Sequence, residues 1–292
     1  MNDMTMLPAD AESVDYDPFS AAEVERVVPS SEAQREVWLA DRLSTQASLA
    51  YNEAVSLRLR GPLDVPALRQ AVDALVARHD ALRTTFSADG LQLLIAAAQP
   101  MLVEMHDLGS LAPDVRSMRL NDAYEAAVCT PFPLENGPLY RATLYALGPD
   151  EHVLVQSAHH AVCDGWSWSV MCRDLGRLYE QALGQGPAPQ AAQSYSDYVL
   201  WEQQEAASPA MQEHVNYWVS RFSGGSLPVL ELPLDHKRAK VRPSPSRRVD
   251  HVLERPLVEA LRKFGARRGT SLYAVMLAGF TTLMHRLSGQ DD

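Results

Sequence analysis

Hydrophobic and polar residues alternate along the chain in patterns that predict both strands and helices. Residues 53–60 alternate strictly, which is typical of a strand with one buried face. The apolar residues of that face are Val55, Leu57 and Leu59. Asp64 then precedes an apolar stripe at helical spacing that ends near His79, so we expect Asp64 to cap a helix. Ser31, with Gln34 three residues later, predicts a capping box at the start of an earlier helix.

The centre of the chain has the most hydrophobic strand pattern. Residues 139–146 and 152–160 predict paired strands around a turn at 148–150, and a helix is expected to follow. The apolar stripe of that helix is expected to hold Trp166, Val170, Leu175, Leu178 and Tyr179. The other predicted elements are short apolar runs at 91–95 and 101–105, a helix at 115–128, a strand at 248–253, and helices at 256–268 and 272–287. The whole pattern indicates a mixed α/β fold with both hairpins and crossovers.

Composition and charge narrow the class of protein. Of the 292 residues, 46% are hydrophobic and 22% are charged, which is typical of a globular protein. The formal net charge of −11 argues against a nucleic-acid partner, because neutralising phosphates requires clustered Lys and Arg. The three cysteines form no CxxC pair, which predicts free thiols in a reducing cytoplasm. No segment has the pattern of a membrane span or of a secretion signal.

The segment 158–167, with the sequence AHHAVCDGWS, holds the residues best suited to chemistry. It lies where a predicted strand meets a helix. Adjacent residues of a strand point to opposite faces, so only one of His159 and His160 can face a given cavity. Asp164 is placed to cap the helix or to hold a nearby arginine. Gly165 would let the backbone approach a substrate closely, and its N–H would lie near the positive end of the helix.

Three other interpretations of this segment stay open on the residues alone. Both histidines could be structural imidazoles. A metal site could use His159, His160, Cys163 and Asp164, although the alternation of faces makes common ligation by the two histidines awkward. A serine or cysteine nucleophile is the third, but the chain has no G-x-S-x-G sequence, and Cys163 and Cys172 fit small core residues better.

Four short motifs occur in a fixed order along residues 31–201. They are SEAQREVW at 31–38, RHDALRTTF at 78–86, HHAVCDG at 159–165 and YSDYVLW at 195–201. They resemble the SxAQxxxW, RHxxLRTxF, HHxxxDG and YxDYxxW motifs of the condensation domains of nonribosomal peptide synthetases. Those domains are a branch of the chloramphenicol-acetyltransferase-like superfamily. Related O-acyltransferases share the His-x-x-x-Asp core alone, whereas four ordered motifs make a chance match a poor explanation.

The resemblance implies a chloramphenicol-acetyltransferase-like fold of two lobes with a tunnel between them. In this family an acceptor amine attacks a donor thioester, and carrier proteins of adjacent synthetase modules present both on 4′-phosphopantetheine arms. The match implies that His160 is the active-site histidine and that His159 is structural. Asp164 is expected to pair with an arginine, with Arg83 as a candidate, and the Gly165 N–H is expected to stabilise the oxyanion. No metal is expected.

The resemblance also divides the chain. Residues 1–28 are expected to be an acidic linker or tail, since seven acidic side chains precede the first basic one. Residues 29–222 are expected to form a complete first lobe, with Trp38 and Trp201 as core anchors. Residues 223–292 are expected to be the crossover and the start of an incomplete second lobe.

Two alternatives to amide formation follow from the same residues. An O-acyltransferase would use His160 on a hydroxyl acceptor and would depend on it as a true base, because a hydroxyl is the weaker nucleophile near neutral pH. The motifs at 31–38 and 195–201 favour the peptide-synthetase branch. The chain could also be a truncated, non-catalytic remnant that binds carrier proteins. We expect the chain alone not to catalyse condensation at a useful rate, because the tunnel needs a second wall.

Overall fold

The protein has a mixed α/β fold, seen in a computed structural model that describes residues 23–225, 227–236 and 249–291. These residues form two compact units, one ending at Glu205 and the other beginning at Ala206. This division lies earlier than the expected lobe boundary at 222. Most of the expected acidic tail, residues 1–22, lies outside the described residues.

Strands and helices alternate along the first unit, and the second unit contains helices. In chain order the strands are β1 (Val24–Pro29), β2 (Asn52–Arg60), β3 (Thr84–Phe86), β4 (Gln92–Ala96), β5 (Glu104–Asp107), β6 (Tyr140–Gly148) and β7 (Glu151–His159). The helices are α1 (Glu32–Asp41), α2 (Thr45–Leu49), α3 (Val65–Arg78), α4 (Pro113–Cys129), α5 (Gly165–Ala182), α6 (Tyr195–Ala206), α7 (Pro209–Phe222), α8 (Arg255–Ala266) and α9 (Leu272–Ser288), with a 3₁₀ turn at Asp80–Arg83.

A four-stranded sheet in the order β2-β7-β6-β5 forms the centre of the first unit. It is antiparallel except for the parallel pair β5–β6. Strand β7 is buried on both faces, and its central residues Val153, Leu154 and Val155 are all apolar. Leu154 and Ala158 pack with α3 and α5, whereas Val153 and Val155 pack with residues of α4 on the other face. The predicted β6–β7 hairpin is confirmed.

Local patterns predicted the beginnings of several elements correctly. Ser31 and Gln34 form both hydrogen bonds of a capping box at α1. The Asp64 side chain accepts from the N–H of Ala67 and caps α3. In β2 the three apolar residues pack against the core, and the alternate positions Ser56, Arg58 and Arg60 are exposed. The predicted helices at 115–128, 256–268 and 272–287 are confirmed as α4, α8 and α9.

Strand β1 places residues 24–28, which were expected to belong to an acidic linker or tail, in a sheet. Residues 24–29 pair antiparallel with β4 in a three-stranded sheet of order β1-β4-β3. Val28 is buried there, and Glu25 forms an ion pair with Arg83 at 2.6 Å. This short segment forms a strand because it pairs with β4, which is distant in sequence. The sequence of residues 24–29 alone does not reveal that partner.

Two predicted elements differ in the structure. The strand expected at 248–253 is not formed, since residues 249–253 have no strand conformation. Val249 and Val252 are exposed, so this segment buries neither of its valines. The run at 101–105 becomes strand only from Glu104, because the N–H of Met101 donates to the Asp73 carboxylate at 2.7 Å.

Candidate active site

A cavity of about 490 Å³ opens in the first unit where four segments meet. Its lining residues come from the segments 79–82, 160–164, 166–171 and 193–198. Three of the four sequence motifs therefore contribute to one cavity. Cavities of this volume accommodate small organic substrates.

The two adjacent histidines point in opposite directions, as the strand geometry predicted. His160 follows β7 directly and has the parity of Leu154 and Ala158, whose face packs with α3 and α5. It lines the cavity, and its side chain is 42% exposed. His159 has the opposite parity and is 0% exposed.

His159 is held inside the protein. Its Nδ1 accepts a hydrogen bond from the backbone N–H of Ala161 at 3.2 Å, which leaves the proton of the neutral ring on Nε2. Nε2 lies 3.4 Å from Oδ1 of Asp41. Burial lowers the pKa of His159, and it outweighs the opposing effect of the Asp41 carboxylate. These contacts support the structural role implied for His159.

His160 is fixed through strand β2. Its backbone N–H donates to the carbonyl of Tyr51 at 2.7 Å, which extends the β2–β7 pairing past the end of β7. Its ring Nε2 lies 3.6 Å from Oε1 of Glu53. The other carboxylate oxygen of Glu53 accepts from the indole N–H of Trp168 at 3.0 Å. Sequence reasoning missed Glu53, which belongs to none of the four motifs.

Asp164 caps α5, and Arg83 is not its partner. The Asp164 carboxylate accepts from the N–H of Ser167 at 2.7 Å and from its hydroxyl at 2.6 Å, and these hydrogen bonds lower the pKa of Asp164. Arg83 instead contacts Glu25 of β1 and the carbonyl of Ala96. The expected Asp164–Arg83 pair is therefore wrong, because β1 supplies the carboxylate that neutralises Arg83.

Gly165 is the first residue of α5, as its place after the N-cap predicted. Its N–H therefore lies in the first turn, where the helix dipole is positive. It is not among the residues that line the cavity, and a Cβ built on it would meet no atom within 4 Å. The protein's own packing thus does not require a glycine here, and the role of its N–H stays a prediction.

Asp80 joins two of the motifs at the cavity. Its carboxylate accepts from the hydroxyl of Ser194 at 2.7 Å and from the N–H groups of Tyr195 at 2.9 Å and Ser196 at 3.1 Å. These N–H groups begin α6, so a residue far away in sequence caps that helix. Burial alone would raise the pKa of Asp80, but the hydrogen bonds outweigh it and the pKa is lowered.

The first motif supports the segment that carries His160. The side-chain N–H₂ of Gln34 donates to the carbonyl of Ala161 at 2.9 Å, while its oxygen accepts from the N–H of Ser31. Gln34 is buried, and it connects the start of α1 to the turn after β7. The spacing of Ser31 and Gln34 predicted the cap but not this second contact.

The alternative chemistries at this segment lose support. Burial raises the pKa of the Cys163 thiol to about 12, so it is protonated near neutral pH and is a poor nucleophile. Within residues 23–225, 227–236 and 249–291, no group of three or more His, Cys, Asp or Glu side chains is placed to hold a metal ion.

Two tryptophans lie at the surface rather than in the core. Trp166 is 80% exposed beside the cavity, whereas Trp168, two residues later in α5, is buried in the core. Trp201 is 54% exposed on the outer side of α6, so its assignment as a core anchor is wrong. Trp38 is partly buried and packs with a core cluster that includes Phe86 and Leu93.

Among the described helices, none combines the length and apolar character needed to cross a bilayer.

Comparisons with known proteins agree with the geometry. A family model for the condensation domain matches residues 24–292. The chain is 36% identical over 273 residues to chondramide synthase cmdD of Chondromyces crocatus, covering 91% of this chain and 7% of that protein. It is 35% identical over 271 residues to phosphinothricin tripeptide synthetase PhsC of Streptomyces viridochromogenes, covering 91% of this chain and 25% of that protein.

A solved structure supports the fold. The condensation domain from Monacolin K polyketide synthase MokA superposes with a TM-score of 0.75 at 20% identity. The match covers 92% of this chain and 61% of that chain. The fold is therefore the chloramphenicol-acetyltransferase-like fold of condensation domains. The chain spans only a small part of the length of the two synthetases that it matches.

Proposed function

We propose, from the premise that the chain belongs to the condensation-domain family, that it takes part in forming an amide bond between two substrates presented on carrier proteins. The observation that carries the proposal is the position of His160, which lines the cavity while His159 is buried. The matched relatives are a chondramide synthase and a tripeptide synthetase, which does not favour an O-acyltransferase. The names of these two synthetases also do not favour the alternative of a truncated, non-catalytic remnant.

The proposed reaction transfers an acyl group from sulfur to nitrogen. The acceptor amine attacks the carbonyl of the donor thioester, so that a C–N bond forms and the C–S bond breaks. His160 takes the proton that the amine loses, and the departing thiolate receives it. Asp164 holds the start of α5, and the Gly165 N–H stabilises the negative charge on the carbonyl oxygen.

The basicity required of His160 is modest. An α-amine has a pKa of about 8, so roughly a tenth of it is already neutral near pH 7. A positioned general base typically contributes about 10²–10⁴-fold. Holding the amine and the thioester together in one cavity can contribute more than that.

The partners in this proposal are donor and acceptor carrier proteins of neighbouring synthetase modules. Their 4′-phosphopantetheine arms would bring both substrates to the cavity. The three cysteines, Cys129, Cys163 and Cys172, are unpaired, which supports a reducing compartment such as the cytoplasm.

Replacement of His160 in the full-length gene product tests the proposal. Carrier proteins loaded with a donor acyl group and with an acceptor aminoacyl group are supplied, and the amide product is followed by mass spectrometry. We expect His160→Ala to lower the rate at least about 10²-fold. The control is His106→Ala, which removes an exposed histidine of β5. Equal rates for His160→Ala and the parent would contradict the assignment.

A further inference from the structure

We propose that Glu53 is a positioning residue for His160. Its carboxylate, held by the indole N–H of Trp168, accepts from the Nε2–H of the His160 ring and so leaves Nδ1 as the nitrogen that takes the proton. The inference rests on the proposed function for the proton transfer itself. The geometry of the two side chains stands independently of it.

The carboxylate of Glu53 is held in place from two sides. Glu53 pairs with Ala158 across the β2–β7 ladder, two residues before His160. Trp168 is buried in α5, and its N–H fixes one carboxylate oxygen at 3.0 Å. The second oxygen lies 3.6 Å from Nε2 of His160, which is longer than a hydrogen bond. Catalytic hydrogen bonds are often long without substrate and tighten when it binds.

The other carboxylates near the two histidines are engaged elsewhere. Asp164 accepts two hydrogen bonds from Ser167. Asp41 faces His159 on the opposite side of β7. Across the described ranges, Glu53 is the carboxylate that lies within ion-pair distance of the His160 ring.

The consequence is a defined form of the neutral imidazole. The hydrogen bond made by one ring nitrogen decides which nitrogen carries the proton. With a carboxylate at Nε2, the proton stays there and Nδ1 keeps its lone pair. Glu53 acts through His160 and contacts no substrate in this proposal.

The first test reads the ring directly and needs no activity. The 292-residue chain is labelled with ¹⁵N-histidine, and His160 is assigned as the signal that His160→Gln removes. In the neutral form the ¹⁵N shifts distinguish a protonated ring nitrogen from an unprotonated one. We expect the Nε2–H form in the parent and a larger share of the Nδ1–H form in Glu53→Ala. An Nδ1–H ring in the parent, or identical spectra for both proteins, would overturn the proposal.

The second test uses turnover of loaded carrier proteins by the full-length protein. Glu53→Ala should lower kcat about 10- to 100-fold, the loss typical for a group that orients a functional histidine, with little change in KM. Glu53→Gln keeps one neutral acceptor oxygen in place of the two carboxylate oxygens and should recover part of the rate. The matched control Glu151→Gln alters another glutamate of the same sheet, one that pairs with Arg58, and should leave kcat unchanged.

A double-mutant cycle separates positioning from simple damage to the fold. Trp168→Phe releases the Glu53 carboxylate and should lower kcat in the parent, yet add little in the Glu53→Ala background. Fully additive effects of the two changes would refute the coupling. If the parent protein makes no amide at all, the proposed function fails while the ¹⁵N spectra still decide the role of Glu53.

Discussion

Replacing Asp80 by alanine would remove the acceptor that joins the segment 78–86 to the start of α6. Asp80 is only 9% exposed and accepts three hydrogen bonds, two of them from backbone N–H groups of Tyr195 and Ser196. Loss of a helix cap costs about 1 kcal/mol. A buried donor left without a partner costs about 1–3 kcal/mol more. We therefore expect Asp80→Ala to lower the free energy of unfolding by about 3 kcal/mol.

Urea unfolding followed by far-ultraviolet circular dichroism measures this loss. The control is Asp114→Ala, an exposed aspartate in the first turn of α4, which should change the free energy of unfolding by about 0.5 kcal/mol or less. A loss for Asp80→Ala no larger than that of the control would refute the reasoning.

The pH dependence of the difference in unfolding free energy between the parent and an Asp80 variant gives an independent check. The pKa of Asp80 is lowered in the folded protein, so the unfolded chain binds its proton more readily. The stabilisation by the Asp80 carboxylate is thus fully present above the unfolded pKa of about 3.9 and is lost as the pH falls through the lower folded value. The difference between the parent and Asp80→Asn should stay constant from about pH 7 to 5 and shrink below about pH 4. A difference that grew on acidification would contradict this account.

Two further predictions concern the segment around His160. Asp164→Ala should lower the free energy of unfolding by about 1 kcal/mol, the cost of a lost helix cap, because the structure shows a cap and not a buried ion pair. A loss of about 3 kcal/mol or more in urea unfolding would show that the Asp164 carboxylate has a buried cationic partner. Iodoacetamide at pH 8 should modify exposed Cys129 and spare Cys163, whose pKa is about 12. Peptide mapping by mass spectrometry checks this, and equal modification of both thiols would contradict the burial of Cys163.

Local signals predicted those parts of the fold that local interactions determine. The Ser31–Gln34 box and the Asp64 cap involve residues three positions apart, so their physical cause lies within a short window of sequence. The β6–β7 hairpin has a short connection and two strands that each contain a run of apolar residues, so its pairing can also be predicted from the sequence. Adjacent positions on β7 were enough to predict that His159 and His160 face opposite sides.

Contacts between distant segments were not predictable from such patterns. Strand β1 becomes a strand through pairing with β4, and its Glu25 takes the arginine that had been expected to pair with Asp164. Glu53 reaches His160 only because β2 and β7 pair in one particular register. A shift of that register by one residue would turn Glu53 to the other face of the sheet. Which carboxylate lies beside His160 is therefore determined by the strand pairing of the sheet, not by the HHxxxDG segment.

Three of the four motifs supply a side chain that holds the backbone around the cavity. Gln34 binds the carbonyl of Ala161, one residue after His160, and Asp80 binds the first N–H groups of α6. Asp164 binds the first turn of α5. Each of these side chains satisfies a backbone group that a helix end or a turn would otherwise leave unpaired. In the proposed function the reaction depends on His160, with Glu53 as its proposed positioning residue, and the three motif side chains hold the backbone around the cavity.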